Sequence, residues 1–341
     1  MPSRRVGFAI APLMLTPLAA FAFAVPTSTL EALTQNVVRN ESLYDNLELD
    51  LTEVETYIGP DRPVTINGQK SKISTHDETH VRYVRQNGMF RVDVHFVSHD
   101  ADGAKTTVAR QRVFDLKQTT LVQASRDGVA GIANIISGIA DDDKVVRPHM
   151  MLLRPRRKVV PLSVELRGSD AMRAFPGGTF ADNADLVVEY VGEETRDGLR
   201  CHIVAFTNTS KATKAAISCF KLWLAEEKNY IPLRMESYDS SFSRDVPLAE
   251  GTVTEWRELK SGIWFPMRVE ILHYDHGQVQ RDQKKVLDGS WTYACDKVSL
   301  EPRYDAAYFQ AIKIPAGTAV YEIEDKKVKH SYRQGQPGTG S

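Results

Sequence analysis

The sequence is poor in cysteine, with three in 341 residues, and it has no apolar run of membrane-spanning length after residue 24. Three thiols allow at most one internal disulfide and leave one thiol over, so a densely stapled scaffold is excluded. No excess of charge is present either: 43 basic residues stand against 44 acidic ones. A balanced surface lacks the basic footprint of a nucleic-acid partner. Also missing are a Gly-x-Ser-x-Gly elbow, a phosphate-cradling glycine loop and a dinucleotide fingerprint. No catalytic residue, cofactor or metal ligand follows from the residues, and the chain reads as a non-enzyme.

What is present begins with a leader. Arg4 and Arg5 precede an uncharged apolar stretch from Val6 to Phe21, and Ala22-Phe23-Ala24 has the small-x-small form of a cleavage site. Residues 1–24 are therefore expected to be a signal peptide cut before Val25, which sends the chain to the periplasm or outside the cell. Pro12 and Pro17 interrupt the stretch, and it is short for a spanning helix, which needs about 20 apolar residues. Without the leader the net charge is −3, since Arg4 and Arg5 are lost and no acid is. The mature protein is expected not to be an integral membrane protein.

The periodicity then separates one helix from a long series of strands. Thr27 or Ser28 can cap a helix carrying Leu30, Leu33, Val37 and Val38 on one side. From Leu47 the period becomes two, with Leu47, Leu49 and Leu51 alternating with Glu48, Asp50 and Thr52. Asn87-Gly88 predicts a type I′ hairpin between Val81–Tyr83 and Phe90–Phe96. Strands are expected to continue through residues 107–116 and 119–124, and again between 182 and 293, with one running from Val279 to Thr292. Between these sets, residues 127–140 and Met150–Leu153 are read as helical cover, the first as a lid. A single domain over 25–325 is expected, followed by a tail at 326–341 that is partly disordered.

Candidate chemistry is sparse. His76 and His80 have the spacing of a helical zinc pair, but their flanks favour a strand, where residues four apart are separated by about 13 Å. A secreted metal-dependent hydrolase is the weakest of the readings. Cys201 and Cys219 lie on two strands joined near position 210, so a disulfide between them and two unpaired buried thiols are both open, with Cys295 a third. Arg154, Arg156, Arg157 and Lys158 form a basic cluster that could meet anionic lipid or simply edge a solvated loop. Phe90, Phe96, Phe220, Trp223, Trp256, Trp264, Phe265 and Trp291 all fall in expected strands. On a closed sandwich they would be core, and on an open curved sheet they would line an apolar pocket.

The order of these elements resembles the bacterial envelope proteins LolA, LolB and RseB. The resemblance rests on the helix after the leader, Gly88-Met89-Phe90-Arg91-Val92, Val113-Phe114-Asp115-Leu116, Phe220-Lys221-Leu222-Trp223-Leu224 leading to Pro232-Leu233-Arg234, and Phe309 with Ile314-Pro315-Ala316-Gly317-Thr318 and Val320. It implies an α+β fold, mainly antiparallel β, in which a curved open half-barrel sheet has helices covering its concave face. It further implies a carrier or binding protein for lipid acyl chains or lipoproteins, without covalent chemistry. The alternative it implies is an RseB-like sensor or envelope-protein interaction module.

Overall fold

Alternation of apolar and polar residues sets most of the fold, because a strand with period two buries one side only. The computed structural model describes residues 27–58, 64–66, 69–71, 74–100, 105–123, 131–138, 145–156, 160–175, 180–310, 312–325 and 327–335. The expected leader lies outside them. Helix α1 (Thr27–Glu41) buries Leu33 and Val37 on its apolar stripe. The strands of the first half are β1 (Leu47–Tyr57), β2 (Val64–Ile66), β3 (Gln69–Ser71), β4 (Ser74–Gln86), β5 (Met89–Asp100), β6 (Lys105–Phe114), β7 (Gln118–Gln123) and β8 (Ile132–Ser137). Short helices α2 (Leu162–Glu165) and α3 (Ser169–Ala174) follow a 3-10 segment over Pro148–Arg156. The second half supplies β9 (Ala184–Arg196), β10 (Leu199–Ser210), β11 (Ala216–Ala225), β12 (Ile231–Asp239), β13 (Ala249–Lys260), β14 (Ile263–Tyr274), helix α4 (His276–Asp282), β15 (Leu287–Ser299), β16 (Ala319–Glu324) and β17 (Lys327–Arg333).

Fifteen of these strands form one unclosed sheet in the order β17-β16-β8-β7-β6-β5-β4-β1-β15-β14-β13-β12-β11-β10-β9. All neighbours are antiparallel except β16 and β8. Strand β1 holds the two halves together, since it pairs with β4 on one side and β15 on the other. The α+β open half-barrel is thus the observed architecture. The β4–β5 hairpin turns at Asn87 (φ 51°) and Gly88 (φ 81°), the left-handed pair that a type I′ turn requires.

The inner face of the sheet is covered by α1, α2, α3 and the 3-10 segment. Met150, Met151, Leu152 and Leu153 of that segment are all buried. Leu152 lies over Gly251, where an added Cβ would come within 2.8 Å of the leucine side chain. Glycine at 251 therefore lets the plug sit directly on β13. On the outer face the chain after β15 folds back across β4 and β5: Tyr304 donates to Glu48, at 2.7 Å, and Gln86 donates to the Tyr304 carbonyl. Glu48, expected to face water, is buried there between Tyr304, Lys297 and Arg82. Burial pulls its carboxyl upward, but the bonds from Lys297 and Tyr304 and the charges of Lys297 and Arg82 outweigh that and hold it below its ordinary value.

Four expectations are corrected. Residues 132–137, read as a helical lid, form strand β8 within the sheet; Ile132, Ile135 and Ile136 favour extended backbone, and β7 and β16 supply partners on both sides. The strand expected from Val279 starts only at Leu287, because the Asp275 side chain accepts from the Gln278 amide and caps α4. Lys327–Arg333, assigned to the tail, pairs with β16 as an edge strand. The fourth concerns the thiols: the β10–β11 hairpin puts Cys201 opposite Ala225 and Cys219 opposite Thr207, because its turn centres beyond residue 210. All three cysteines are free. Burial raises Cys295 to about 12 and Cys201 to about 11.

Candidate functional site: an open cleft on the inner face

One side of β1 changes character along its length, and the site follows from that change. Leu47, Leu49 and Leu51 point inward and are buried, and the next three residues on the same side are Glu53, Glu55 and Tyr57. Register carries the row across the sheet: Glu53 lies between Tyr293 of β15 and Thr79 of β4, and Thr79 lies beside Phe96 of β5, which faces Val108 of β6. Above this row no described residue covers the inner face. It forms an open cleft of about 730 Å³, walled by Val94, Phe96, Val108, Trp291 and Tyr293 and by Pro155 at the end of the 3-10 segment. Glu53, Glu55, Asp77, Arg110 and Arg154 supply its charges.

The charged floor is organised by one ion pair. Arg154 comes off the buried plug and meets Glu53, with the two side chains only 6% and 10% exposed. The guanidinium also donates to the Val145 carbonyl at 3.3 Å and lies 5.6 Å from the Tyr293 ring centre. Burial alone would depress Arg154, but the charges of Glu53 and Tyr293 and the bond to Glu53 keep it above its ordinary value. Tyr293 is pushed upward by its burial and then by the charge of Glu53. The floor thus holds a charged, paired Arg154 and a neutral tyrosine at neutral pH. This corrects the sequence expectation for Arg154, which is an interior residue of the cleft rather than part of a surface rim. Arg157 and Lys158, and the side chain of Arg156, lie outside the described residues.

A smaller pocket of about 180 Å³ adjoins the cleft and shares Glu55, Tyr57 and Trp291 with it. Its other walls include His273, His276, Asp288 and Ser290. The His273 and Trp291 rings meet edge to face at 3.9 Å between centres. Burial, with the nearby His276, holds the His273 imidazole down at about 4.

Of the eight aromatics singled out in sequence, the cleft gathers Phe96 and Trp291. Phe90, Phe220 and Phe265 belong to the filled core, with Phe220 stacked on Phe206 at 4.4 Å. Trp223 is buried between Arg196 and Arg234, and Trp256 and Trp264 flank Lys228. His76 and His80 are on β4, as the flanks predict; the His76 ring meets His99, and His80 contacts Glu78 and Thr52. Among the described residues no three histidine, cysteine or carboxylate side chains converge as a metal site. Sequence reasoning put Arg154 in a surface cluster and passed over the other charged lining residues, Glu53, Glu55, Asp77 and Arg110. The one signal for Glu53 and Glu55 was the break in the leucine row after Leu51.

No family model matches the chain, and no curated protein matches it by sequence. Among solved structures the chain is similar to a DUF1329 family protein from Desulfovibrio piger, at 14% identity and a TM-score of 0.40, covering 82% of this chain and 96% of that one. It is also similar to a putative outer membrane lipoprotein-sorting protein domain from Vibrio parahaemolyticus, at 10% identity and a TM-score of 0.38, covering 82% and 95%. A third similarity is to the lipoprotein LppX of Mycobacterium tuberculosis, at 9% identity and a TM-score of 0.24, covering 85% and 100%. No described helix is long and apolar enough to cross a membrane.

Proposed function

We propose that this chain is a non-enzymatic carrier or binding protein of the cell envelope that holds the acyl chains of a lipid or lipoprotein in the inner-face cleft. The observation that carries this reading is the uncovered stretch of the inner face, where Val94, Phe96, Val108, Trp291 and Tyr293 continue the buried core into an open space of about 730 Å³. That volume falls within the range of roughly 300–1,000 Å³ typical of sites for small molecules and cofactors. An exposed apolar wall is unfavourable in water by about 25 cal/mol per Å², so a chain laid along it gains that amount back. The charged floor keeps the vacant cleft wetted, so the protein stays soluble between loads. The leader expected at residues 1–24 supports an envelope location, and Cys201 and Cys295, held high by burial, support survival there without unwanted exchange.

Native mass spectrometry of protein purified from the envelope, together with displacement of a fluorescent fatty acid, tests the reading. Bound lipid that Phe96→Asp removes is expected. A uniformly empty protein that takes up no fluorescent chain would overturn it, and specific capture of a polypeptide by the same cleft would favour an interaction module instead.

A further inference from the structure

The small pocket beside the cleft has a composition unlike the rest of the inner face. Tyr57, Trp291, His273 and His276 place rings around it, and Glu55 and Asp288 are its carboxylates. Neither arginine nor lysine lines it among the described residues. Both guanidinium groups of the site, Arg154 and Arg110, belong to the larger cleft, and Arg154 is committed to Glu53. The junction between the two spaces is formed by Glu55, Tyr57 and Trp291, which line both.

Aromatic faces with carboxylates and no arginine or lysine beside them form the environment that attracts an ammonium group, since the ring quadrupole presents negative charge to a cation held over an indole or phenol. The same walls repel an anionic head, since Glu55 and Asp288 stand there with no arginine or lysine among the described lining residues. We propose that this pocket is a headgroup subsite for an ammonium-bearing amphiphile, whose apolar chain runs from it past Trp291 into the cleft. The inference rests on the acyl-chain reading of that cleft and adds the charge class of the ligand.

Three structural details support it. Gly289, opposite Tyr57, lies so close to β1 that an added Cβ would sit 2.7 Å from the Thr56 carbonyl oxygen. Glycine is therefore required there, and no side chain rises between Tyr57 and His273 to fill the pocket. Burial keeps His273 uncharged at neutral pH, so its ring adds a wall without adding a repelling charge. Tyr57 donates its hydroxyl to Glu55, which holds the ring and the carboxylate together at the entrance.

The test uses the full chain and three probes with the same twelve-carbon chain, bearing a trimethylammonium, a hydroxyl or a carboxylate head, each below its micelle concentration. Displacement of a fluorescent chain gives the three affinities. The ammonium probe is expected to bind at least tenfold more tightly than the carboxylate, with the alcohol between them. In a Glu55→Gln, Asp288→Asn variant that preference should collapse while the alcohol affinity holds. Equal binding of all three heads would overturn the headgroup subsite and leave the cleft reading intact. Binding of none would overturn the cleft reading and the subsite with it. A variant that loses the alcohol as well as the ammonium would overturn the assignment of these two carboxylates to the head.

Discussion

The two ends of the inner face belong to one sheet but to different strands of it, and among the described residues they differ in cover and in composition. Toward β9–β14, Val204, Phe206, Phe220, Leu222, Met235, Phe265, Val269 and Ile271 are closed over by α1 and by the plug that carries Met150 to Leu153. Toward the far ends of β1, β4, β5 and β6 the described part of the plug contributes only Arg154 and Pro155, and the same face lines the cleft. The filled end is aliphatic and aromatic. At the open end every second position of β1 is a polar residue, because an uncovered face must tolerate water whenever no ligand is present. The proposed carrier role would use both, with one end fixing the shape of the sheet and the other taking cargo.

Several substitutions would break or sharpen this contrast. The largest effect is expected at the filled end, where Phe265→Ala should cost about 3–5 kcal/mol in denaturant unfolding, the usual loss for a fully buried phenylalanine. A loss near zero would mean that this end is not a packed core. Second comes the boundary between the ends. Arg154→Ala leaves Glu53 buried without its cation and should cost about 3–5 kcal/mol, whereas replacing both residues with methionine should recover most of that loss. Comparing the single and double variants by thermal melting decides whether the pair serves as a structural seal.

A third expected effect depends on pH. His273 is held at about 4, below its ordinary 6.5, so the unfolded chain takes up the proton first. The stability due to its neutral form is fully present above pH 6.5 and is lost progressively as the pH falls toward 4, amounting to no more than about 3 kcal/mol at about 1.4 kcal/mol per pH unit. Glu48, whose carboxyl is held low, acts in the same direction at lower pH: its contribution is present above the ordinary carboxylate value and disappears on acidification through its folded value. A His273→Phe variant should melt with a flatter pH dependence between 6.5 and 4; an unchanged slope would rule out the histidine as its source. The smallest effect on stability is expected at the open end. Phe96→Ala should change unfolding by about 1 kcal/mol or less, because that side chain is only half-buried, yet should weaken uptake of a fluorescent fatty acid several-fold.

The sequence carried the sheet further than it carried the site. Period-two alternation from Leu47, the Asn87-Gly88 turn and the return of strands between 182 and 293 were legible because each is a local rule of backbone and burial. Strand β8 and helix α4 were not. Ile132–Ser137 is extended because β7 and the distant β16 flank it, and Val279 is helical because one aspartate caps the turn before it. The cysteine pairing, left open by the sequence, was decided by hairpin register, which sets every cross-strand partner on β10 and β11. The eight aromatics share one local signature, and only their three-dimensional cover separates Phe265 in the core from Phe96 and Trp291 in the cleft.

The sequence by itself determined a mainly antiparallel sheet, its opening helix and the inward side of most of its strands, since these depend on periodicities of two and 3.6 and on turn residues that act over a few positions. Tertiary structure alone decided that Arg154 would be an interior partner of Glu53, that Val94, Phe96 and Val108 would line a cleft, and that a carboxylate-lined pocket would adjoin it. Those features depend on which distant segments share a neighbourhood, and burial, charge pairing and open volume are properties of neighbourhoods, not of residues.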